Sequence, residues 1–217
     1  VLYMHDGQNL FDARTSFIGM EWQVDETAEE LIAAEEIVPL IVVGVYNTSR
    51  RFLEYTHVAQ DGSPGGEADE YGRFLVEELK PMIDATYRTQ PGRESTGLAG
   101  SSLGGLVTMY LGLEYDEVFS RLGVVSPSVW FANRDILDVV DEAERPQSQV
   151  WVDMGTAEGN NPTQTLMDSR ALRDALIEKG FVLDEDLLYR EFEGAAHNEV
   201  AWAARMDQIL KFLFPKD

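Results

Sequence analysis

The sequence predicts a single α/β domain over residues 1–217, in which a mainly parallel sheet is covered by helices on both faces. Three observations favour this fold class. Short apolar runs alternate with segments whose apolar residues recur at helical spacing. Of the 217 residues, 44% are hydrophobic and 26% charged, which suits one soluble domain with a sizeable core. No apolar run reaches the roughly eighteen residues that a membrane-spanning helix needs.

The first half of the chain alternates strands and helices around a long polar segment. Residues 40–45 are mostly β-branched and follow Pro39, which is typical of a buried strand. Residues 47–69 are too long for a simple connection, so we expect them to form a wall of the functional site. The other elements predicted here are a strand at residues 1–4, a helix marked by Val24, Ala28, Leu31 and Ile32, and a helix marked by Tyr71, Leu75, Leu79 and Met82.

The second half continues the alternation. An apolar run at residues 95–99 precedes a helix-like run at 103–113. Because parallel strands need a helix-length crossover between them, this succession predicts a parallel sheet. The remaining predicted elements are strands at 122–125, 150–152 and 187–189, a helix at 134–142, a helix marked by Met167, Ala171, Ala175 and Leu176 and ended by Gly180, and a closing helix marked by Ala203, Met206, Leu210 and Leu213.

The pattern G-x-S-x-G occupies residues 100–104, with Ser102 at its centre, between a predicted strand and a predicted helix. In this setting the pattern is typical of a nucleophile elbow, a sharp turn that holds a serine hydroxyl at the carboxyl edge of a sheet. Glycine beside the serine avoids a collision in the strained turn. Taken alone, the five residues fit a Gly/Ser turn without chemistry equally well. Ser101 is not the centre of this pattern, because Ala99 stands where glycine is needed.

A serine nucleophile needs a base within hydrogen-bond reach, and a carboxylate to orient that base. The chain has three histidines, and in the order nucleophile, acid, base only His197 follows Ser102. His197 falls in a loop after the last predicted strand, at the same edge of the sheet. We expect His5 to be structural, and His57 to face solvent or a pocket wall.

Glu158 is the predicted acid, in the loop after the strand that precedes His197. Gly155 is expected to end that strand and to leave Glu158 free to turn toward His197. Asp153 is the alternative acid, although we expect it to lie on the strand itself. The competing interpretation of Glu158 is an ordinary solvated loop carboxylate.

An oxyanion hole needs two backbone N–H groups. Leu103, the residue after the nucleophile, is predicted to supply one. The loop after the first strand is predicted to supply the other, from Gln8 or alternatively from Gly7, whose missing side chain lets the backbone approach a substrate.

Together these motifs resemble the esterase branch of the α/β-hydrolase superfamily that includes enterochelin esterases, esterase D-like hydrolases, feruloyl esterases and mycolyltransferases. The resemblance covers nearly the whole chain. Its segments are LYMHDGQNLF at residues 2–11, EYT at 54–56, LKPMID at 79–84, GSSLGG at 100–105, SPSVW at 126–130, GTAE at 155–158 and HNE at 197–199.

This resemblance implies an α/β-hydrolase fold and a catalytic triad. Members of the branch have one or two strands before the first strand seen here, so we expect a sheet that lacks them and has an exposed edge. The family acid is often aspartate, and glutamate is one methylene longer, which changes its reach but not its role. The implied site residues are the nucleophile Ser102, the acid Glu158 and the base His197, with Trp130, Tyr55 and Asn9 in the substrate pocket.

The composition limits partners and compartment. Asp and Glu number 39 against 17 Lys and Arg, giving a net charge of −22, so the chain should repel nucleic acid and anionic membranes. Such an excess of carboxylates raises the hypothesis of adaptation to high salt, where counterions screen self-repulsion. Without cysteine there are no disulfides or thiolate metal sites. We expect a cytoplasmic location, although Val1 starts inside an apolar run, so upstream residues and any signal peptide are expected to be missing. Monomer and homodimer are not distinguished.

The sequence therefore predicts a serine carboxylic-ester hydrolase that works through an acyl-enzyme and needs no metal or organic cofactor. Because no separate lid domain is evident, we expect an open site that accepts short, soluble acyl esters. The alternatives are an acyltransferase on the same scaffold and a non-catalytic binding domain that kept the fold. A metal site built from Asp153, Glu158 and His197 is less favoured, since it lacks helical ligand spacing and a second suitable histidine.

Overall fold

The sheet of the computed structural model, which describes residues 1–60, 62 and 64–216, contains six strands in the order β2-β1-β3-β4-β5-β6. Every neighbouring pair within it is parallel. The mainly parallel sheet predicted from the alternation of elements is thus confirmed. The strands are β1 (Leu2–His5), β2 (Val42–Val45), β3 (Gly97–Ser101), β4 (Arg121–Val125), β5 (Gln149–Gly155) and β6 (Leu187–Phe192).

Helices connect these strands and close the chain. The described part of the chain contains no helix that is long and apolar enough to cross a membrane. The helices are α1 (Val24–Ala33), α2 (Arg51–Glu54), α3 (Ala68–Arg73), α4 (Lys80–Thr86), α5 (Leu103–Glu114), α6 (Ile136–Glu142), α7 (Pro162–Glu178), α8 (Glu199–Ala203) and α9 (Met206–Leu213), with a π-helical stretch, Phe74–Leu79, joining α3 to α4 and a short 3-10 turn at Gly7–Asn9.

The two faces of the sheet carry separate apolar layers because successive strand residues point to opposite sides. On β1, Leu2 and Met4 pack into the layer formed with α1, α8 and α9. Tyr3, between them, packs into the layer formed with α3, α5, α6 and α7. This confirms the expectation of helices on both faces.

The predicted closing helix is interrupted. Its α8 part ends at Ala203 and its α9 part begins at Met206, with Arg205 between them at φ −126° and ψ 3°. Arg205 is only 1% exposed, so the break turns a charged side chain into the protein, and the prediction of one continuous helix is wrong here. Met82 and Met167 were expected on apolar helix faces but are more than half exposed.

The carboxyl ends of the parallel strands meet along one edge of the sheet. Ser101 at the end of β3 is in register with Val125 at the end of β4, which is in register with Asp153 in β5. The loops that carry Ser102, Glu158 and His197 all leave the sheet at this edge.

Candidate active site

Ser102 occupies a strained turn between β3 and α5. Its φ of 60° and ψ of −122° lie in a region that side chains rarely adopt, which is where functional strain is found. Its N–H donates to the carbonyl of Val125 at 3.1 Å. A Cβ at Gly100 would lie 2.8 Å from the His5 ring, and one at Gly104 would lie 3.3 Å from the His5 Cβ. The turn therefore needs glycine at Gly100 and is tight at Gly104.

His197 is hydrogen-bonded to Glu158, with 2.6 Å between His197 Nδ1 and Glu158 Oε2. A carboxylate oxygen only accepts, so Nδ1 carries the hydrogen and Nε2 remains an acceptor. The imidazole and the Trp202 ring form a T-shaped pair, with 5.0 Å between ring centroids and 84° between planes. The His197 side chain is 36% exposed, so substrate and water can reach it.

Glu158 is held from several sides rather than left free to turn. It is fully buried, and its Oε1 accepts hydrogen bonds of 2.7 Å from both the Ser126 hydroxyl and the Gly155 N–H. Burial opposes its ionisation, but the hydrogen bonds from His197, Ser126 and Gly155 outweigh burial and lower the pKa of Glu158. The interpretation as a solvated loop carboxylate is therefore wrong.

The Ser102 hydroxyl lies 3.3 Å from the Ser128 hydroxyl. Ser128 also donates its N–H to the Ser102 carbonyl at 3.0 Å. Among the residues that the structure describes, no hydrogen bond joins Ser102 to His197. The two are connected through the end of β4, since Val125 binds the Ser102 N–H and Ser126, the next residue, binds Glu158.

Asp153, the alternative acid, lies on β5 as expected and is fully buried. Its carboxylate accepts from Trp151 Nε1 at 2.6 Å and from the Ser126 N–H at 3.1 Å, and it pairs with Arg205 at 2.9 Å. Burial raises the pKa of Asp153 to about 6, although the Arg205 charge opposes this. The structure thus brings Glu158, not Asp153, to His197. Among the described residues, no group of three His, Asp or Glu side chains is arranged to hold a metal ion, which is the arrangement that the metal-site alternative needs.

The loop after β1 is anchored by Asp6, whose φ of 56° is left-handed. Its carboxylate receives two hydrogen bonds from Arg51, at 2.6 and 2.7 Å, and one from Asn47 at 2.5 Å. Its N–H donates to the Tyr55 hydroxyl at 3.2 Å. Residues from the segment 47–69 therefore brace this loop; Asp61 and Ser63 of that segment lie outside the described residues.

The predicted oxyanion-hole donors lie at the starts of two helical segments, where the first N–H groups have no acceptor within the helix. Leu103 begins α5, and Gly7 and Gln8 begin the 3-10 turn. A Cβ at Gly7 would lie 2.4 Å from the carbonyl carbon of Gly44. Glycine is thus required at position 7 for packing on β2, and the expected approach of a substrate to its backbone stays a prediction.

The three predicted pocket residues have different surroundings. Trp130 is 52% exposed and follows Ser128 by two residues. Tyr55 is fully buried, so it lies behind the first loop and has no exposed surface to offer a substrate. Asn9 is also buried, donating to Glu199 Oε1 at 3.2 Å and accepting from the Phe17 N–H at 3.0 Å. Asn9 thus ties the first loop to the start of α8, beside His197.

The other two histidines have side chains that are almost fully covered. His5 contacts the Tyr71 hydroxyl through Nδ1 at 2.8 Å, and burial lowers the pKa of His5 to about 3, in keeping with a structural group. His57 has only 3% of its side chain exposed, lies 3.0 Å from Asp135 through Nε2, and stacks on Tyr110. The expectation that His57 faces solvent is therefore wrong, and its alternative place in a pocket wall stays a prediction.

The described part of the chain has cavities outside the site. One of about 650 Å³ lies along β2, between Val45, Arg50 and Glu67. Another, of about 590 Å³, lies behind the His197 loop, between Phe192 and Arg205. Neither is lined by Ser102, Glu158 or His197.

Sequence reasoning missed the polar groups that hold the site together. Ser126 stands in the SPSVW segment, which assigns it no role by itself. Arg205 gave one signal, a cation between the apolar positions Ala203 and Met206 of the predicted closing helix. Arg51 and Asn47 gave none, because pairing with Asp6 over more than forty residues leaves no local pattern.

Comparison with known proteins adds one family and several relatives. The family model described as "Putative esterase" matches residues 1–213. The chain is 28% identical to an endo-1,4-beta-xylanase/feruloyl esterase of Xylanibacter ruminicola over 86% of its own length and 23% of the relative's. It is 25% identical to the ferri-bacillibactin esterase BesA of Bacillus subtilis over 92% of its own length and 74% of the relative's.

A solved structure resembles the whole described sheet and its helices. The enterobactin esterase FES of Shigella flexneri, crystallised in the presence of 2,3-dihydroxy-N-benzoyl-glycine, superposes with a TM-score of 0.78 at 20% identity. The match covers 98% of this chain but only 52% of the Shigella protein, so this chain spans about half of that enzyme. At this identity the likeness shows the α/β-hydrolase-like fold.

Proposed function

Because the chain belongs to this esterase family, and is therefore a carboxylesterase-type hydrolase, we propose that it cleaves esters with Ser102 as nucleophile, His197 as base and Glu158 as acid. The observation that carries the proposal is the 2.6 Å hydrogen bond between His197 Nδ1 and Glu158 Oε2, at the edge of the sheet where Ser102 sits in its strained turn. This bond orients an imidazole whose other nitrogen is free to accept a proton.

The proposed reaction proceeds through an acyl-enzyme. His197 Nε2 takes the proton of Ser102 as its oxygen attacks the ester carbonyl, and the proton then passes to the leaving alcohol. The tetrahedral oxyanion is stabilised by the N–H groups of Leu103 and of Gln8, with Gly7 as the alternative donor. Water, activated by the same histidine, releases the acid and restores Ser102.

Attack requires the hydrogen of the Ser102 hydroxyl to point to His197 Nε2, so that hydrogen is not available to Ser128 at the same time. We propose that the Ser102 hydroxyl exchanges its 3.3 Å contact with Ser128 for one with His197 Nε2 when a substrate fills the site. Such contacts are commonly long or absent without substrate and tighten only in the complex.

The proposed substrates are short, soluble acyl esters bound in an open site. Two observations support this: the His197 side chain is 36% exposed, and Trp130, two residues after Ser128, offers a half-exposed aromatic face. The relative named as a feruloyl esterase makes aromatic acyl esters the first natural class to examine.

A panel of esters tests the substrate class. We expect p-nitrophenyl acetate and butyrate to be cleaved with a kcat/KM at least tenfold above that of p-nitrophenyl palmitate, and methyl ferulate to be cleaved as well. Trp130→Ala should raise KM for methyl ferulate about tenfold, since a stacked aromatic contact of about 1–1.5 kcal/mol is lost, whereas Tyr87→Ala, a distant exposed aromatic, should not. Preference for palmitate would contradict the proposed substrates.

A further inference from the structure

Arg205 is a buried cation in the break between α8 and α9. Its side chain is 1% exposed, and its guanidinium lies over the Phe192 ring, with 4.8 Å from Cζ to the ring centroid. A charge this deeply buried is costly unless it is paired and hydrogen-bonded. Its surroundings therefore indicate what it stabilises.

One atom of Arg205, Nη2, contacts three acceptors. It lies 2.9 Å from Asp153 Oδ1, 3.5 Å from Glu158 Oε1 and 2.6 Å from the Ser126 hydroxyl oxygen. Two of these acceptors are carboxylates that are themselves fully buried. The guanidinium thus stands between Glu158, which binds His197, and a second carboxylate that does not.

Through Ser126, the contact with Arg205 fixes the orientation of the Glu158 carboxylate. A hydroxyl has one hydrogen to donate and two lone pairs to accept with. The Ser126 oxygen accepts from Arg205 Nη2 and from Trp202 Nε1, the latter at 3.0 Å. With both lone pairs occupied, its single hydrogen is directed to Glu158 Oε1 at 2.7 Å. Glu158 therefore keeps Oε1 occupied and presents Oε2 to His197.

The charges of this cluster have to be considered together. The titratable or charged side chains that face it, among the described residues, are Asp153 from β5, Glu158 from the following loop, His197 from the loop after β6, and Arg205. Without Arg205, two buried carboxylates would remain side by side, and such a pair retains a proton because both charges are costly together. A proton on Glu158 would weaken its hold on the imidazolium that forms during catalysis.

We infer that Arg205 is a positioning residue of the active site: through Ser126 and Asp153 it keeps Glu158 ionised and directed at His197. This inference rests on the proposed function, because it assigns Arg205 to the acid of that triad. Arg205 does not touch the substrate, so its loss should lower kcat and leave KM nearly unchanged.

The first test compares the wild-type protein with Arg205→Met and Arg205→Lys. We expect Arg205→Met to lower kcat for p-nitrophenyl butyrate about 100-fold at pH 7 with KM within about twofold, as for displaced catalytic groups. Arg205→Lys keeps the charge without the planar fork and should recover part of the loss. Arg170→Met, which removes an exposed bidentate pair with Glu191, is the matched control and should leave kcat unchanged.

The pH profile separates a positioning role from a purely structural one. In Arg205→Met the carboxylate pair should lose its shared proton as the pH rises, so the ratio of variant to wild-type kcat should increase at least threefold between pH 7 and pH 9. A ratio that stays constant would overturn the role of the charge. A folded Arg205→Met protein with kcat within twofold of wild type would overturn the inference as a whole.

A second variant keeps the test decisive should Arg205→Met fail to fold. Asp153→Asn combined with Arg205→Met removes one charge of each sign, so the buried cluster keeps its net charge. Compared with Asp153→Asn alone, the double variant should have a kcat about tenfold lower, because Ser126 loses the donor that orients it. The ratio of these two kcat values should not rise with pH. Equal kcat values would contradict the inference. Failure of the proposed function itself is distinguishable, since Ser102→Ala would then retain turnover.

Discussion

Glu158 and His197, separated by a strand and a long helix in sequence, meet through a 2.6 Å hydrogen bond between Oε2 and Nδ1. The carboxylate is fully buried while the imidazole is partly exposed, so the pair links the interior of the protein to its surface. The other oxygen of Glu158, Oε1, accepts from Ser126 and Gly155. Only Oε2 is therefore left to bind His197. This arrangement defines both the tautomer and the direction of the base.

Replacing Glu158 by Gln should remove most of the activity without removing the shape of the side chain. An amide in place of the carboxylate cannot stabilise the imidazolium and favours the wrong tautomer, so we expect kcat to fall by about 10³- to 10⁴-fold with KM little changed. Glu193→Gln, an exposed carboxylate four residues before His197, is the control and should behave as wild type. A Glu158→Gln protein that keeps more than a tenth of wild-type kcat would exclude this role.

Asp6→Ala tests whether the braced loop after β1 supplies an oxyanion donor. The change removes the acceptor of Arg51 and Asn47 and frees the loop that carries Gln8, so kcat should fall about 10- to 100-fold, as expected for a displaced donor. Asp12→Ala breaks an exposed pair with Arg14 in the next turn and serves as the comparison. If Asp6→Ala and Asp12→Ala lower kcat by the same small factor, the loop does not take part in the reaction.

His5 predicts how stability depends on acid. Burial lowers its pKa to about 3, whereas an unfolded histidine has its ordinary pKa near 6.5. The unfolded chain therefore binds the proton first, and this contribution to the free energy of unfolding is complete above about pH 6.5 and falls as the pH drops toward 3. His5→Asn should reduce the slope between pH 6 and pH 4 by up to about 1.4 kcal/mol per pH unit in urea unfolding. Parallel curves for the two proteins would refute this.

The net charge of −22 predicts a dependence of stability on salt. Screening of repulsion among carboxylates should raise the melting temperature by about 3 °C or more between 0.05 and 1 M NaCl. Sucrose at matched osmolality controls for effects unrelated to charge. A melting temperature that does not change with NaCl would rule out adaptation to high salt.

The sheet was predictable from sequence because burial of parallel strands leaves a local record. Residues 40–45 are apolar on both faces, and the alternation with helices predicts a parallel arrangement. The strand found there, β2, lies at the edge of the sheet and is mostly only half-buried, so the prediction of a buried strand is wrong. The elbow at residues 100–104 was predictable for a related reason. Its two glycines leave a visible pattern in the sequence, and they are needed because a Cβ at either position would lie close to the His5 side chain.

The polar interior was not predictable in the same way. Arg205 and Asp153 pair although about fifty residues separate them in the chain. The sequence around either residue gives no sign of its partner. The break before α9 contains no glycine or proline, so helical spacing continues through it in the sequence. Tyr55 was expected in the pocket because of the motif that contains it. The motif does not show on which side of the loop the side chain lies, and in the structure it is buried behind the loop after β1.

The most direct test of the central claim is covalent labelling of Ser102. Incubation with a fluorophosphonate ester followed by peptide mass spectrometry should show one adduct per chain, on the Ser102 hydroxyl, with loss of esterase activity in step with labelling. Ser128→Ala, which changes the neighbouring hydroxyl, should still be labelled, whereas Ser102→Ala should be neither labelled nor active. Labelling at another residue, or wild-type turnover by Ser102→Ala, would contradict the account.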